Sequence, residues 1–478
     1  MHWIDLSIFI LYMIGMLGFG YFFLHRNKGA DDYYVGGRNM SSLHVGLSVV
    51  ATDVGGGFSI GLGGLGFTLG LSGSWMLFTG LLGAWMAAVL LIPKVKGNPA
   101  FDKALTFPQV FEHYFNARVA LVAGIISAVG YAGFTSSQIL AGAKLANGTF
   151  ANLDLQTALI IMGSVAVIYT VMGGLKAVIY TDTIQWGLLM VGLVFIGIPI
   201  SYSAVGGWEA IQAAVDPSML SLGNMTWQRV VYWGATIIPI WFVGMTLYQR
   251  IYACRDEKTA KRAWYMAGLF EWPVMAFMGV SLGLFAKVGA AQGMFDYLGA
   301  ANIAETDPET GLPMLLRTVL PVGLMGIMMS AYFSAILSTA DSCLMAASGN
   351  VVTDIIGFFR DVDPDSTSFL RFSQVTTLVL GVAALLIASA MESVLNLMLY
   401  SYAFMVSGLF VPILGALYWP KSSPAGAIAA MVMGGGTTVC LQVFLQQLPL
   451  GLDANVFGIA VSAIVFVSVS LLFPGRRS

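Results

Sequence analysis

Apolar stretches follow one another along nearly the whole chain, from residue 5 to residue 474, and each reaches the roughly twenty residues that a helix needs to cross a bilayer. No water is available there to satisfy backbone N–H and C=O groups, so a spanning segment must close its hydrogen bonds within itself, as a helix does. The runs are too long and too uniformly apolar for the alternating strands of a membrane barrel. The expected fold class is therefore all-α, a polytopic membrane protein. Composition bears on the same point: only 10% of the 478 residues are charged, against about a quarter in soluble domains, so the lipid bilayer is the first partner. A net charge of -2 without any basic stretch excludes nucleic acid as another. Cys254, Cys343 and Cys440 stand far apart, with neither metal-ligand spacing nor a disulfide framework.

About thirteen spans are expected, at roughly 5–24, 44–69, 73–93, 119–143, 156–174, 181–203, 230–249, 265–288, 312–348, 372–390, 394–417, 424–446 and 455–474. The ninth is too long for one straight crossing and is expected to include a short helix outside the bilayer. The first lacks a basic n-region and a small-residue cleavage site, so it is read as a retained helix. Positive charge concentrates on the cytoplasmic side of membrane proteins. With the N-terminus outside, 18 of the 22 Lys and Arg residues fall on that side, among them Arg26, Lys28, Arg38, Lys176, Arg250, Arg255, Arg476 and Arg477. Lys144, Arg229, Lys287 and Arg317 stay outside. The expected location is the cell (inner) membrane, with the N-terminus outside and the C-terminus cytoplasmic.

Acids within such spans are costly and mark function; three stand out, Asp53, Asp182 and Asp341. After Asp53 the chain reads Val54-Gly55-Gly56-Gly57-Phe58. Consecutive glycines disfavour helix by about 1 kcal/mol each, and a break in mid-span frees carbonyl oxygens that can hold a cation. Close helix–helix packing is the other reading of such glycines. In the ninth span Ala335, Ser338, Thr339 and Ser342 share a helix face, with Ser334 nearby. Hydroxyl and carbonyl oxygens beside carboxylates suit a hard cation such as sodium, not a transition metal. Such hydroxyls also serve simply to bond the preceding turn. Buried Asp53, Asp182 and Asp341 could instead titrate and carry protons. With no Ser–His pairing and no histidine in the polar spans, an enzyme is not expected.

Trp233, Trp241, Phe242 and Tyr248 on the seventh span, and Tyr400, Tyr402 and Phe404 on the eleventh, offer faces for a substrate ammonium by cation–π attraction, or ordinary packing. In Glu271-Trp272-Pro273 the proline is expected to kink the eighth span, with Glu271 turned to interfacial water.

Several motifs together resemble the sodium/solute symporter family. Asp31-Asp32-Tyr33-Tyr34-Val35-Gly36-Gly37-Arg38 is similar to its D-[DE]-[YF]-x-x-G-G-R element. Tyr169-Thr170-Val171-Met172-Gly173-Gly174-Leu175-Lys176-Ala177-Val178, followed by Thr181-Asp182-Thr183-Ile184-Gln185, resembles its Y-T-x-x-G-G-L-x-A-V and T-D-x-x-Q signature. Ala335-Ile336-Leu337-Ser338-Thr339 resembles its A-x-x-S-[ST] element. The resemblance implies a LeuT-type core of two inverted five-helix repeats, 44–203 and 230–417, with a peripheral helix at 1–24 and two additional helices at 424–474. It implies a main sodium site from the Ala51, Val54 and Ala335 carbonyls and the Ser338 and Thr339 hydroxyls. A second sodium site would use Asp182, Ser338, Asp341 and Ser342, giving two sodium ions per cycle. Asp53 matches the aspartate of proline-transporting members, and Gly55-Gly56-Gly57-Phe58 is close to the W-V-G-G-G-Y break of choline-transporter-like ones. Sugar carriers have amide and acid side chains where this chain has Gly57 and Phe58. The implied activity is sodium-coupled import of a small organic solute by alternating access: an amino acid such as proline, or an amine- or betaine-like compound. Asp53, Gly55, Gly56, Gly57, Phe58, Trp241, Phe242 and Tyr402 are the candidates for solute binding or ion coupling. Alternatives are a proton-coupled carrier of the same fold, or a sodium-coupled carrier of a carboxylate or sugar.

Overall fold

The computed structural model describes residues 2–24, 30–150, 153–300, 302–360, 366–445 and 447–475. Arg26, Lys28, Arg476 and Arg477 lie outside the described residues, as do the side chains of Asp53, Val54, Phe58 and Lys176. Among the described residues every regular element is a helix, and β pairing is limited to an isolated bridge between Met40 and Cys254. The main helices are α1 (Trp3–Leu24), α2 (Ser42–Val54), α3 (Gly56–Leu69), α4 (Trp75–Leu90), α5 (Ala117–Thr149) and α6 (Leu155–Gly192). They continue with α7 (Trp227–Val243), α8 (Met245–Ala253), α9 (Glu257–Leu269), α10 (Ala276–Ala291) and α11 (Pro308–Val319). The chain closes with α12 (Leu324–Gly349), α13 (Thr367–Ser389), α14 (Val394–Tyr418), α15 (Pro424–Phe444) and α16 (Ala454–Leu472).

By length and composition 11 helical runs among the described residues can cross a membrane, or 12 with the pair α7 and α8, which are bent by 42° at Gly244. One run, Ile60–Val95, contains both part of α3 and all of α4. Joining α2 to α3 across Gly55 and taking α4 alone therefore returns the expected figure of about thirteen. The overlong ninth span resolves into α11 and α12, the short extra helix coming first. Elsewhere the chain turns more tightly than expected. No loop separates the fifth and sixth spans: α6 is interrupted only at Gly174, whose φ of 66° and ψ of 173° lie in a region that side chains with a Cβ avoid.

Polar residues start many of these helices by accepting their free first amides. Asn116 Oδ1 accepts from the N–H groups of Arg118 and Val119 at 3.1 Å each, and Asp256 Oδ1 accepts from Thr259 N at 2.7 Å. That backbone N–H holds the exposed Asp256 carboxyl below its ordinary value. Between helices, small residues set the approach. A Cβ at Gly283 would stand 1.9 Å from the Gly63 carbonyl oxygen, and one at Gly66 2.2 Å from that of Val280, so α3 and α10 meet backbone to backbone. At the centre α5 packs against α6, α12, α13 and α14, and nearly all of α12 is buried.

The two ends of the bundle differ in charge. At one, Arg38 holds Asp31 with two bonds of 2.8 and 2.9 Å and donates to Ala104 O, while Lys96 donates to Tyr252 O at 3.3 Å. Toward the other end of α5, Lys144 meets Asp307 and Glu309. Arg250 departs from the expected partition of basic residues. Expected in the cytoplasmic segment with Arg255, Arg250 is instead fully buried, because it finds hydroxyl and carboxylate partners on neighbouring helices. Two further expectations fail. Glu271 is buried against Gly80, where the chain breaks helical geometry at Trp272. Tyr400 is 43% exposed and does not enter the core.

Candidate cation and solute site

The site begins at the break between α2 and α3. Gly55 has φ of -7° and ψ of -169°, so the helical ladder stops there. The amide of Gly56, freed by the break, donates to Gln138 Oε1 on α5 at 2.6 Å. A Cβ at Gly55 would stand 2.4 Å from Thr339 Oγ1 and 2.6 Å from Gln138 Oε1, and one at Gly56 2.0 Å from the Ala141 Cβ. The glycines thus both interrupt the helix and admit its neighbours, and the two readings of the glycine run hold together.

Opposite the break stands α12. Thr339 Oγ1 lies 3.1 Å from Ala51 O, 3.0 Å from Thr52 O and 3.2 Å from Ala335 O, and Ser338 Oγ is 3.1 Å from Ala335 O. Three carbonyl oxygens and two hydroxyls thus meet between α2 and α12, with Ala51 O also accepting the Gly55 N–H and Ala335 O the Ser338 hydroxyl. A set of oxygens of this kind suits a hard cation. Ala51, Ala335, Ser338 and Thr339 are therefore together. Val54 belongs to the last turn of α2.

A second cluster lies alongside. Asp182 and Asp341 are fully buried. Ser48 donates to Asp182 Oδ2, and Thr170 donates to Asp341 Oδ1. The remaining oxygens, Asp182 Oδ1 and Asp341 Oδ2, have no hydrogen-bond partner among the described residues. Buried charge without compensation is costly, and here the compensation comes from Arg250. Its Nη2 donates to Ser342 Oγ at 2.8 Å, to Thr52 Oγ1, and to Asp182 Oδ2 at 3.4 Å. Its Nε reaches Ser48 Oγ at 3.0 Å and its Nη1 reaches Thr246 O at 3.2 Å.

The second helix break, at Gly244 between α7 and α8, faces the same helix α5: Thr246 N donates to the Tyr131 hydroxyl at 3.3 Å. Tyr131 and Gln138 thus link α5 to both breaks. Neither was singled out in the sequence, although Thr135-Ser136-Ser137-Gln138, four polar residues in the middle of an apolar run, was the available signal.

The aromatic candidates divide. Tyr402 packs edge-to-face on Phe134 of α5 with centroids 4.8 Å apart, one helical turn from Gln138. Trp241 instead packs on Trp264 and against Gly83, and Phe242 on Phe410, which is helix–helix packing. A cleft of about 380 Å³ opens beside α3, α7 and α14, lined by Leu65, Tyr232, Trp233, Leu395 and Leu399 among others. A neighbouring cleft of about 370 Å³ reaches Lys144 and Glu309.

The chain matches the sodium:solute symporter family over residues 33–434. It is 27% identical to the osmoregulated proline transporter OpuE of Bacillus subtilis (strain 168), covering 97% of this chain and 93% of that one. It is 26% identical to the sodium/proline symporter of Escherichia coli (strain K12), covering 98% and 92%. In fold it is similar to a sodium-coupled sialic acid symporter solved in a substrate-bound, outward-open state, with a TM-score of 0.79, 20% identity and 99% of each chain covered. Its relatives are transporters rather than enzymes, its centre gathers oxygens of the kind a hard cation takes, and the family match spans most of its length: the chain belongs to the sodium:solute symporter family, with sodium as its coupling ion.

Proposed function

We propose that this symporter imports a small amino acid of the proline type with two sodium ions per cycle. The observation that carries the coupling is the convergence of the Ala51, Thr52 and Ala335 carbonyls with the Ser338 and Thr339 hydroxyls beside the Gly55 break. The first ion binds there, with Ala51, Val54, Ala335, Ser338 and Thr339 as ligands. The second binds among Asp182, Ser338, Asp341 and Ser342, and the orphaned carboxylate oxygens of that set support it. A positive ion in the break also favours a zwitterion beside it, and the relatives named for proline make that class the first choice. Asp53, Gly55, Gly56, Gly57, Phe58 and Tyr402 belong to the solute side of the break. Trp241 and Phe242 act as packing residues behind it.

Residues 44–203 and 230–417 form the two inverted repeats, and a helix broken near its middle at the start of each, at Gly55 and at Gly244, supports this division. The helix at 1–24 is peripheral and 424–474 are additional. The protein lies in the inner membrane with its N-terminus outside, and the separation of Arg38 and Lys96 from Lys144 supports that orientation.

Because sodium and solute stabilise one shared conformation, each raises the affinity of the other by the same factor. Thermal unfolding of the purified protein with L-proline, other amino acids, betaine, sugars and carboxylates, with and without sodium, tests this reading. Proline is expected to raise the midpoint only when sodium is present. A sodium-independent shift would remove the coupling. Stabilisation by a betaine, sugar or carboxylate in place of proline would remove the solute assignment. Uptake accelerated by external acid in sodium-free buffer would restore the proton-coupled alternative.

A further inference from the structure

Arg250 lies where the second sodium would bind. Of the four residues assigned to that ion, two are held by its guanidinium: Ser342 Oγ at 2.8 Å and Asp182 Oδ2 at 3.4 Å. A guanidinium only donates hydrogen bonds, so each of these contacts consumes a lone pair that a metal ion would need. Its other contacts, Ser48, Thr52 and Thr246 O, lie on α2 and α8 and offer the head a retreat once it leaves Ser342 and Asp182.

We propose that Arg250 is a tethered competitor of the second sodium ion. In the sodium-free site the guanidinium holds Ser342 and Asp182. Entry of sodium displaces it toward Ser48, Thr52 and the Thr246 carbonyl, so Arg250 sets the affinity of that site. Arg250 also lies on α8, the short helix beyond the Gly244 break, and its displacement therefore acts directly on the broken helix. Occupancy of the second site is thereby tied to the bend between α7 and α8. The inference rests on the two-sodium reading above.

The test is a sodium titration of the purified protein in solute-free buffer at constant ionic strength, followed by thermal midpoint and by calorimetric stoichiometry. Wild type is compared with Arg250→Gln, Arg250→Lys and the charge-balanced double variant Asp182→Asn with Arg250→Gln. Wild type is expected to bind two ions. Arg250→Gln removes the competitor, so its second binding step should tighten by about tenfold or more, within the usual range of coupling between sites. Low, non-denaturing guanidinium chloride should weaken that step in Arg250→Gln far more than in wild type. Arg250→Lys replaces a planar fork by a point charge with fewer directed donors, so it should tighten the step by a smaller factor and carries the test if the glutamine variant does not fold. The double variant should keep the main step and lose the second. A second step unchanged or weakened in folded Arg250→Gln or Arg250→Lys overturns the proposal and leaves Arg250 as a positioning residue. Only one ion in wild type overturns the two-sodium reading itself, and the competitor falls with it, a result distinct from the previous one.

Discussion

The molecule buries two clusters of opposite charges, and they are built on different terms. Near one end, Lys144 on α5 meets Asp307 at 2.7 Å and Glu309 at 2.8 Å. Glu309 spends its oxygens fully, accepting also from Val394 N, Leu395 N and Ser393 Oγ at 3.0 Å each. In the middle of the bundle, Arg250 reaches Asp182 at only 3.4 Å and is held more closely by hydroxyls. There one oxygen of Asp182 and one of Asp341 have no partner among the described residues. A complete network fixes structure, whereas an incomplete one in a low-dielectric setting invites a further charge. The first cluster is a clasp between α5, α11 and α14, and the second, proposed above to bind sodium, still has coordination to offer.

The largest effect should come from breaking the central pair. Asp182→Asn leaves the Arg250 guanidinium buried without a carboxylate, which costs about 3–5 kcal/mol when one partner of a buried pair is removed. Chemical denaturation should register that loss, and the sodium-induced rise in stability should shrink with it. If Asp182→Asn kept a full sodium response, the central cluster would be as structural as the clasp.

Next in size is Lys144→Met, which deletes the cation of the clasp. Hydrogen bonds to charged groups contribute about 1.5–3 kcal/mol, and a loss of that order is expected. Glu309 keeps its amide and hydroxyl donors, so the response of the thermal midpoint to sodium should survive unchanged. A lost sodium response here would erase the distinction between the two clusters.

The comparison also explains what the sequence could and could not tell. The spans, the break at Gly55 and the Ala335, Ser338 and Thr339 face were legible, because periodicity, glycine runs and spacing on one helix are local properties. Asp182 and Asp341 stood out because an acid in an apolar run is conspicuous by itself. Arg250 was not legible in this way. It sits five residues before Arg255 and the charged stretch that follows, so it reads as one more cation at a span's end. Its partners, Ser48, Thr52, Asp182 and Ser342, are between 68 and 202 positions away. Lys144 does lie near an end of its helix, but its bonds to Asp307 and Glu309 depend on how α11 folds back. Gln138 and Tyr131 were hidden for a third reason: a neutral polar side chain in an apolar span carries no charge signal, and only the meeting of two broken helices gives it a task.

Asp341→Asn probes the site from the other side and should change stability in the opposite direction. Among the described residues Asp341 has no cationic partner of its own, and its Oδ2 has no donor. Replacing a poorly compensated buried charge by a neutral group of the same shape should stabilise the sodium-free protein by about 1–3 kcal/mol. The same change should remove the sodium-dependent increment contributed by the second ion. A loss of stability without sodium would mean that Asp341 is compensated as completely as Glu309 is.

The smallest effect is expected from Glu309→Gln, which is why it sharpens the contrast best. Glutamine keeps the length of the side chain and one acceptor oxygen, so it can serve one of the amides of Val394 and Leu395, the first two residues of α14, which bond to different oxygens of Glu309. What is lost is the other amide's bond and a negative charge at a helix N-terminus, each contributing about 0.5–1 kcal/mol, together with one of two carboxylates around Lys144, which retains Asp307. The expected result is a drop of that size in stability and faster hydrogen exchange at the amides of residues 394 and 395, with the sodium dependence intact. A clasp whose oxygens are all in use loses only these increments when one of them is neutralised. If Glu309→Gln instead matched Asp182→Asn in cost and in its loss of sodium response, Lys144 and Arg250 would belong to one electrostatic unit spanning the bundle, and the division into clasp and site would fail.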